Sequence, residues 1–352
     1  MSVDPASPLP QLRGDSDAAR ATEAVQWLMA NRLAPCVAFL QSRAWFEWPH
    51  LPLLGSVVER EQLALKRRTA QEDGVISELT GFGVPLLLLK GVALARWLYP
   101  APELRDRLDV DLLVGEAQLD RLRACLRDKG WVQRRLSASV SQESWRREGL
   151  DLDLHWRLSD HPVFFHTLDF SELWSAARPI SGLAEPVRAL APMHALIHAV
   201  IHYFGTHSKE PMPALFLVDM LLLWESLDAR ERRALDGLLA RLGLHGLAAR
   251  AFERAWQCFP GSDCDAPLAD WHQRGTGQWQ TALAEPHGRV RGLRLALRGQ
   301  PGVKHKLAYL SGLAFPRADY MYQKYPGRFP LGLPGRYLYR MLGGLGAGGE
   351  RR

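Results

Sequence analysis

Apolar residues recur at helical spacing near both ends of this chain and alternate with polar ones, or run unbroken, in short stretches between. From Ala21 to about Thr80, Trp27, Leu28, Ala34 and Leu40 mark a buried stripe, and Val57 to Glu78 is a long amphipathic segment. The turn Gly81-Phe82-Gly83-Val84-Pro85 delivers a first strand over Leu86 to Leu89. Val92 to Tyr99 predicts a short helix stopped by Pro100, and Glu116 to Lys129 a longer one ended by Gly130. Strands are predicted over Leu108 to Val114, Trp131 to Leu136, Ser139 to Trp145 and Leu150 to His155, and the helical period returns from Pro186 to about Leu247. Helices outside, with mixed strands around one crossover helix, predict an α+β protein.

Three of these apolar runs carry chemistry: Leu86-Leu87-Leu88-Leu89-Lys90-Gly91, Leu108-Asp109-Val110-Asp111-Leu112-Leu113-Val114 and Leu150-Asp151-Leu152-Asp153-Leu154-His155-Trp156. In a strand, residues i and i+2 share a face, so Asp109 and Asp111 project together while Val110 and Leu112 face the core. Asp151, Asp153 and His155 form a second such row. A half-exposed strand would show acids at these positions too. Against that reading, Asp is a poor strand former, and like charges on a buried face repel unless something neutralises them. An acid pair on one strand opposite an acid on the next suits Mg²⁺ or Mn²⁺, hard cations that take carboxylates and substrate phosphates.

Lys90-Gly91, Tyr99-Pro100, Arg105, Asp109-Val110-Asp111-Leu112-Leu113-Val114 and Asp153-Leu154-His155-Trp156-Arg157-Leu158 together resemble an uncharacterised bacterial nucleotidyltransferase family of the polymerase-β-like superfamily. The resemblance runs from about residue 22 to about 340 and takes in His194, His198, Asp219 and the stretch from Phe315-Pro316 to Tyr325-Pro326. It implies a polymerase-β-like core with a mixed sheet and flanking helices, and an enzyme that moves an NMP from an NTP to a hydroxyl-bearing acceptor with release of pyrophosphate. It implies that Asp109 and Asp111 are the metal-binding pair and Asp153 the third carboxylate. Asp151 stays open as the alternative third acid; only the acid two residues before His155 in the family pattern favours Asp153. Acceptors of three kinds remain open: a small molecule, a protein side chain or an RNA end.

In one place the chain departs from the superfamily pattern, where a Ser or Gly follows the turn glycine; here it is Val92. Gly91 still permits a tight turn and close backbone approach, the following helix offers free N–H groups to phosphate, and Lys90 or Arg105 supplies positive charge. His155 shares the face of Asp153 and is placed to bind substrate or orient that acid. Val92 also fits the alternative of a catalytically inactive relative that binds a nucleotide or a partner protein.

His194, His198 and His202 step by four along one predicted helix. A zinc site there would give a metal-dependent hydrolase, but three ligands on one straight helix seldom converge, and packing against the catalytic sheet is the expectation. The stretch from Gly292 to Arg340 interleaves Arg and Lys with Tyr and Phe. That suits a helical cap with snorkelling cations, base stacking, or a membrane-surface patch, with the cap placed first.

Composition adds little to this. Lys+Arg 44 against Asp+Glu 38 gives net +6, a modest bias toward polyanions in which nucleic acid is possible but not favoured. Cys36, Cys125, Cys258 and Cys264 show no metal or disulfide spacing, and Met1 to Arg20 has no signal-like pattern, so a cytoplasmic location is expected. The expected organisation is a disordered tail over 1–20, a helical segment over 21–80, a nucleotidyltransferase core over 81–180, a helical domain over 181–342 and a flexible tail over 343–352.

Overall fold

The computed structural model describes residues 17–45, 54–136, 141–205 and 212–346. Helices α1 (Asp17–Ala30), α2 (Val37–Ser42) and α3 (Gly55–Thr80) precede strand β1 (Leu86–Leu88), helix α4 (Lys90–Trp97), β2 (Val110–Val114) and α5 (Leu119–Asp128). Then come β3 (Val132–Leu136), β4 (Gln142–Arg147), β5 (Leu150–His155), α6 (Phe170–Ala176), β6 (Arg178–Pro179) and β7 (Val187–Ala189). The remainder is helical: α7 (Pro192–Gly205), α8 (Leu215–Glu225), α9 (Ala229–Leu242), α10 (His245–Cys258) and α11 (Leu268–Gly275), then α12 (Arg289–Arg298), α13 (Gly302–Ala314), α14 (Ala318–Lys324) and α15 (Gly332–Gly346).

Among the described residues seven strands form one mixed sheet in the order β3-β4-β5-β2-β1-β7-β6. The α+β class read from the sequence is what the structure has. β2 runs parallel to β5, which sets Asp111 directly across from Asp153. β1 runs antiparallel to β2 and parallel to β7. β7 corrects the sequence reading, which had the helical period begin at Pro186. Its three residues are too few to show a period, and pairing with β1 makes them a strand. The sheet therefore straddles the expected boundary at residue 180. Asp17 to Arg20, expected in the leading tail, open α1, and Gly343 to Gly346, expected in the trailing tail, close α15. The remaining tail positions, 1–16 and 347–352, and Ser139-Val140 of the strand expected over Ser139 to Trp145 lie outside the described residues.

The alternation along the strands sorts their side chains into two cores. Leu86, Leu88, Val110, Leu112 and Val114 pack with Val75, Ile76 and Leu79 of α3 and Leu122 and Leu126 of α5. Leu87 and Leu113, on the other face, pack under a larger cluster that includes Trp27, Leu40, Ile197, Val200, Leu221 and Phe252. Each such side chain contributes on the order of 1.5–3 kcal/mol on burial. Asp111, by alternation, belongs to the second face, so the acids rise from a sheet closed on both sides. Among the described residues no helix is long and apolar enough to cross a membrane.

Candidate metal and nucleotide site

Asp111 sits inside β2 and is only 2 % exposed. Leaving a carboxylate there without a partner would be costly. Two groups answer it: Lys90 Nζ donates to Oδ1 at 2.7 Å, and His155 Nε2 lies 3.0 Å from the same oxygen. Burial alone would push the carboxyl up, but Lys90 and His155 outweigh it and hold Asp111 well below the usual carboxylate range. Burial likewise opposes charge on Lys90, and the carboxylates of Asp111 and Asp109 reverse that and raise it.

Asp109 lies one residue before β2 rather than within it. Asp111 beside it, and then burial, push its carboxyl up to about 6. Asp153, on β5, accepts a hydrogen bond at 2.6 Å from Ser144 Oγ, its cross-strand neighbour on β4. Donor atoms of Asp111, Asp153 and His155 all lie within 4.8 Å of one another. This donor set fits a divalent cation: two carboxylates supply hard oxygens, and the buried His155 Nδ1 has no hydrogen-bond partner. Asp151 stands apart, half exposed and 3.6 Å from Arg146.

Asp109, Asp111, Asp153, Lys90 and Gly91 line one cleft of about 690 Å³, within the size range of small-molecule sites. Arg32, Gln142 and Asp160, which no sequence motif marked, line it too. Arg32 arrives from the turn after α1 with Nε 2.9 Å from Asp106 Oδ2, and its charge works against the rise of the Asp109 carboxyl.

The turn at Lys90-Gly91 is built differently from the expectation. Lys90 itself adopts the left-handed conformation, φ 46°, where a side-chain-bearing residue is strained by roughly 1–2 kcal/mol. Gly91 serves close approach, here of two arginine side chains. A Cβ on it would stand 2.7 Å from Arg105 Nη1 and 2.8 Å from Arg107 Cβ. Val92 is buried in the sheet's core and adds nothing polar to the cleft.

Those two arginines hold the segment that delivers Asp109. Arg107 Nε reaches both carboxylate oxygens of Glu72 on α3 at 2.9 Å, and Glu72 has no exposed surface. Arg105, expected to supply charge to phosphate, lines the cleft but turns its guanidinium onto Asp219 of α8, with Nη2 2.6 Å from Oδ2. Tyr99 donates to the other Asp219 oxygen at 2.8 Å.

The three histidines of α7 do not come together as ligands. His198 and His202 border a small apolar slot that shares Lys90, Arg105 and Phe216 with the main cleft. Burial, then the nearby Lys90 and His155, push His198 down to about 3, so it is neutral. His194 faces elsewhere; burial lowers it, and its charged neighbours are Glu172 and Arg241. Among the described residues the cluster with metal-ligating geometry is the one on the sheet.

No curated protein matches the chain. A family model described as an uncharacterised nucleotidyltransferase matches residues 17–260, a span that contains the whole sheet and the cleft but stops short of Phe315 to Pro326. The chain belongs to that uncharacterised nucleotidyltransferase family.

Proposed function

We propose that this protein is a divalent-metal-dependent nucleotidyltransferase that moves an NMP from an NTP to a hydroxyl-bearing acceptor. The observation that carries this reading is the convergence of Asp111, Asp153 and His155 within 4.8 Å at the cleft that Asp109 and Lys90 also line. In the reaction the acceptor oxygen bonds to the α-phosphorus, the bond from that phosphorus to the bridging oxygen breaks, and pyrophosphate leaves with the electron pair. Bound Mg²⁺ or Mn²⁺ would neutralise the phosphates and make the acceptor hydroxyl easier to ionise.

Asp109, Asp111 and Asp153 are the residues that would hold the metal. Asp153, fixed by Ser144, is also the base placed to take the acceptor's proton. Imidazole is a poorer ligand than carboxylate for Mg²⁺, so His155 is assigned to orient Asp111 through their 3.0 Å contact. Lys90 and Arg32 are cations the cleft offers to a triphosphate, and the Gly91 backbone lets it approach. Arg105 is assigned a positioning role, since Asp219 holds its guanidinium. Rate enhancement would come from placement and charge neutralisation.

A second reading is favoured by the buried Val92 at the position where the superfamily carries a small or hydroxyl residue. In it the fold binds a nucleotide without turning it over.

Binding of the four NTPs, with and without Mg²⁺, to wild type and to Asp109→Asn/Asp111→Asn tests both. Magnesium-dependent binding of one nucleotide, lost in the double variant and accompanied by pyrophosphate release once an acceptor is supplied, supports the transferase. Binding without release against any acceptor class supports the second reading. No binding of any NTP overturns both.

A further inference from the structure

We infer that α13 and α15 form a surface that docks peripherally on an anionic phospholipid membrane. The helix α13 is mounted with its apolar stripe turned outward. Val303, Leu307 and Leu310 fall at i, i+4 and i+7, the spacing of one helix face, yet Val303 is 72 % and Leu307 61 % exposed. The opposite face does the packing. His305 lies edge-on to His166 with ring centres 5.0 Å apart, and Tyr309 meets Phe165 at 6.5 Å. No residue of α13 is fully buried.

The apolar surface continues past the end of α13. Tyr337 of α15 donates to Pro316 O at 2.6 Å and its ring meets Phe315 at 5.6 Å, so the two helices are joined there. Phe315, Leu338, Tyr339 and Met341 are exposed alongside. Exposed apolar side chains gathered on two joined helices mark an interaction site rather than ordinary surface scatter.

Charge selects the occupant. Between residues 289 and 341 stand eleven Lys or Arg and a single acid, Asp319, so this stretch carries net +10 while the rest of the chain carries net −4. Exposed Lys304 and Lys306 flank the stripe on either side. An aliphatic stripe bordered by lysines is the pattern of a helix lying in the interface of an anionic bilayer.

Nucleic acid fits less well, because stacking needs free rings. Here the rings are engaged with one another: Tyr339 meets both Tyr325 and Phe329, and Arg336 covers Tyr322 and Phe329. A second copy docking by the same stripe would bring like-charged lysines together. The cap expected of this stretch is thus only half of its construction.

Co-sedimentation of the full chain with phosphatidylcholine vesicles, with and without phosphatidylglycerol, is the test. The expected result is binding at least tenfold tighter with phosphatidylglycerol, weakened by salt. It should be lost by at least tenfold in Leu307→Glu/Leu310→Glu and in Lys304→Glu/Lys306→Glu, both with unchanged circular dichroism since all four side chains are exposed. No binding to either vesicle overturns the proposal, and so does binding that survives the leucine substitutions. Two other outcomes also overturn it: a short RNA oligonucleotide bound more tightly than the vesicles, or a dimer in light scattering that the leucine substitutions dissolve.

Discussion

Lys90 places its Nζ 2.7 Å from Oδ1 of Asp111, the oxygen that His155 Nε2 also approaches to 3.0 Å. The lysine reaches it from a backbone held at φ 46°, at the first residue of α4. Strain at that residue is thus spent on aiming a cation at the most buried acid of the cleft. Lys90 is the counter-charge of Asp111 without a metal, and a group that must share that carboxylate once a metal arrives.

Replacing Lys90 by Met removes that counter-charge and leaves His155 as the remaining partner. Losing one member of a buried pair costs about 3–5 kcal/mol. We expect a loss toward the lower end in urea denaturation with EDTA, with part of it recovered on adding Mn²⁺. Removing a single preorganised charge at a reacting phosphate typically lowers kcat by about 10²–10³-fold, and the same drop is expected here. Unchanged stability in EDTA would show that His155 alone neutralises Asp111.

The Asp109 carboxyl, raised to about 6 by Asp111 and burial, makes the metal-free protein sensitive to pH in a definite direction. A carboxyl raised above its unfolded value of about 4 contributes its full stability below that value and loses it as pH rises through the folded value. Above pH 6, ionised Asp109 therefore carries a penalty on the order of 1–3 kcal/mol. Asp109→Asn should raise the Tm in EDTA at pH 8, and the gain should shrink as the pH is lowered toward 4. The same variant should fold yet lose transfer and the stabilisation that Mg²⁺ gives wild type. A Tm that falls at pH 8 would mean Asp109 is held by an attraction rather than repelled by Asp111.

Much of this cleft was legible in the sequence because its acids interrupt buried strands at a two-residue period, a local signal. What crosses the chain was not. The parallel register that sets Asp111 against Asp153 depends on where β5 docks, and Asp151 is outside the cleft's lining. Ser144 reaches Asp153 from a neighbouring strand and Arg32 reaches the cleft from the turn after α1, with no motif around either. Arg105 had the look of a phosphate cation because its partner, Asp219, lies 114 residues later on α8. The turn glycine was readable as a site of close approach, but not that Lys90 takes the left-handed angle or that the groups crowding Gly91 are two arginines.

That crowding makes Gly91→Ala a sharp probe of the turn. The new methyl would lie 2.8 Å from Arg107 Cβ, and Arg107 cannot easily yield because Glu72 holds its guanidinium. Overpacking of this kind costs about 1–3 kcal/mol. The displacement falls on the segment that carries Asp109, so Mg²⁺-dependent NTP binding should weaken by at least tenfold while the far-UV circular dichroism stays native. Unweakened binding would show that the segment can shift without moving the acid.

The Arg105–Asp219 pair separates a positioning role from direct phosphate contact. Asp219→Ala leaves a guanidinium and the Tyr99 hydroxyl buried without their acceptor, and should cost about 3–5 kcal/mol. Arg105→Met/Asp219→Leu removes both charges, so most of that loss should return, less about 1 kcal/mol for the orphaned Tyr99 hydroxyl. If Arg105 acts only by holding the segment beside Gly91, the double variant keeps its NTP Kd within a few-fold of wild type. If its guanidinium leaves Asp219 to meet a phosphate, the Kd rises tenfold or more although stability is restored. Calorimetric titration of the double variant against urea denaturation of the same sample distinguishes the two. The first outcome is expected, because both Asp219 oxygens already hold the guanidinium, Nε at 3.3 Å and Nη2 at 2.6 Å, with both side chains buried.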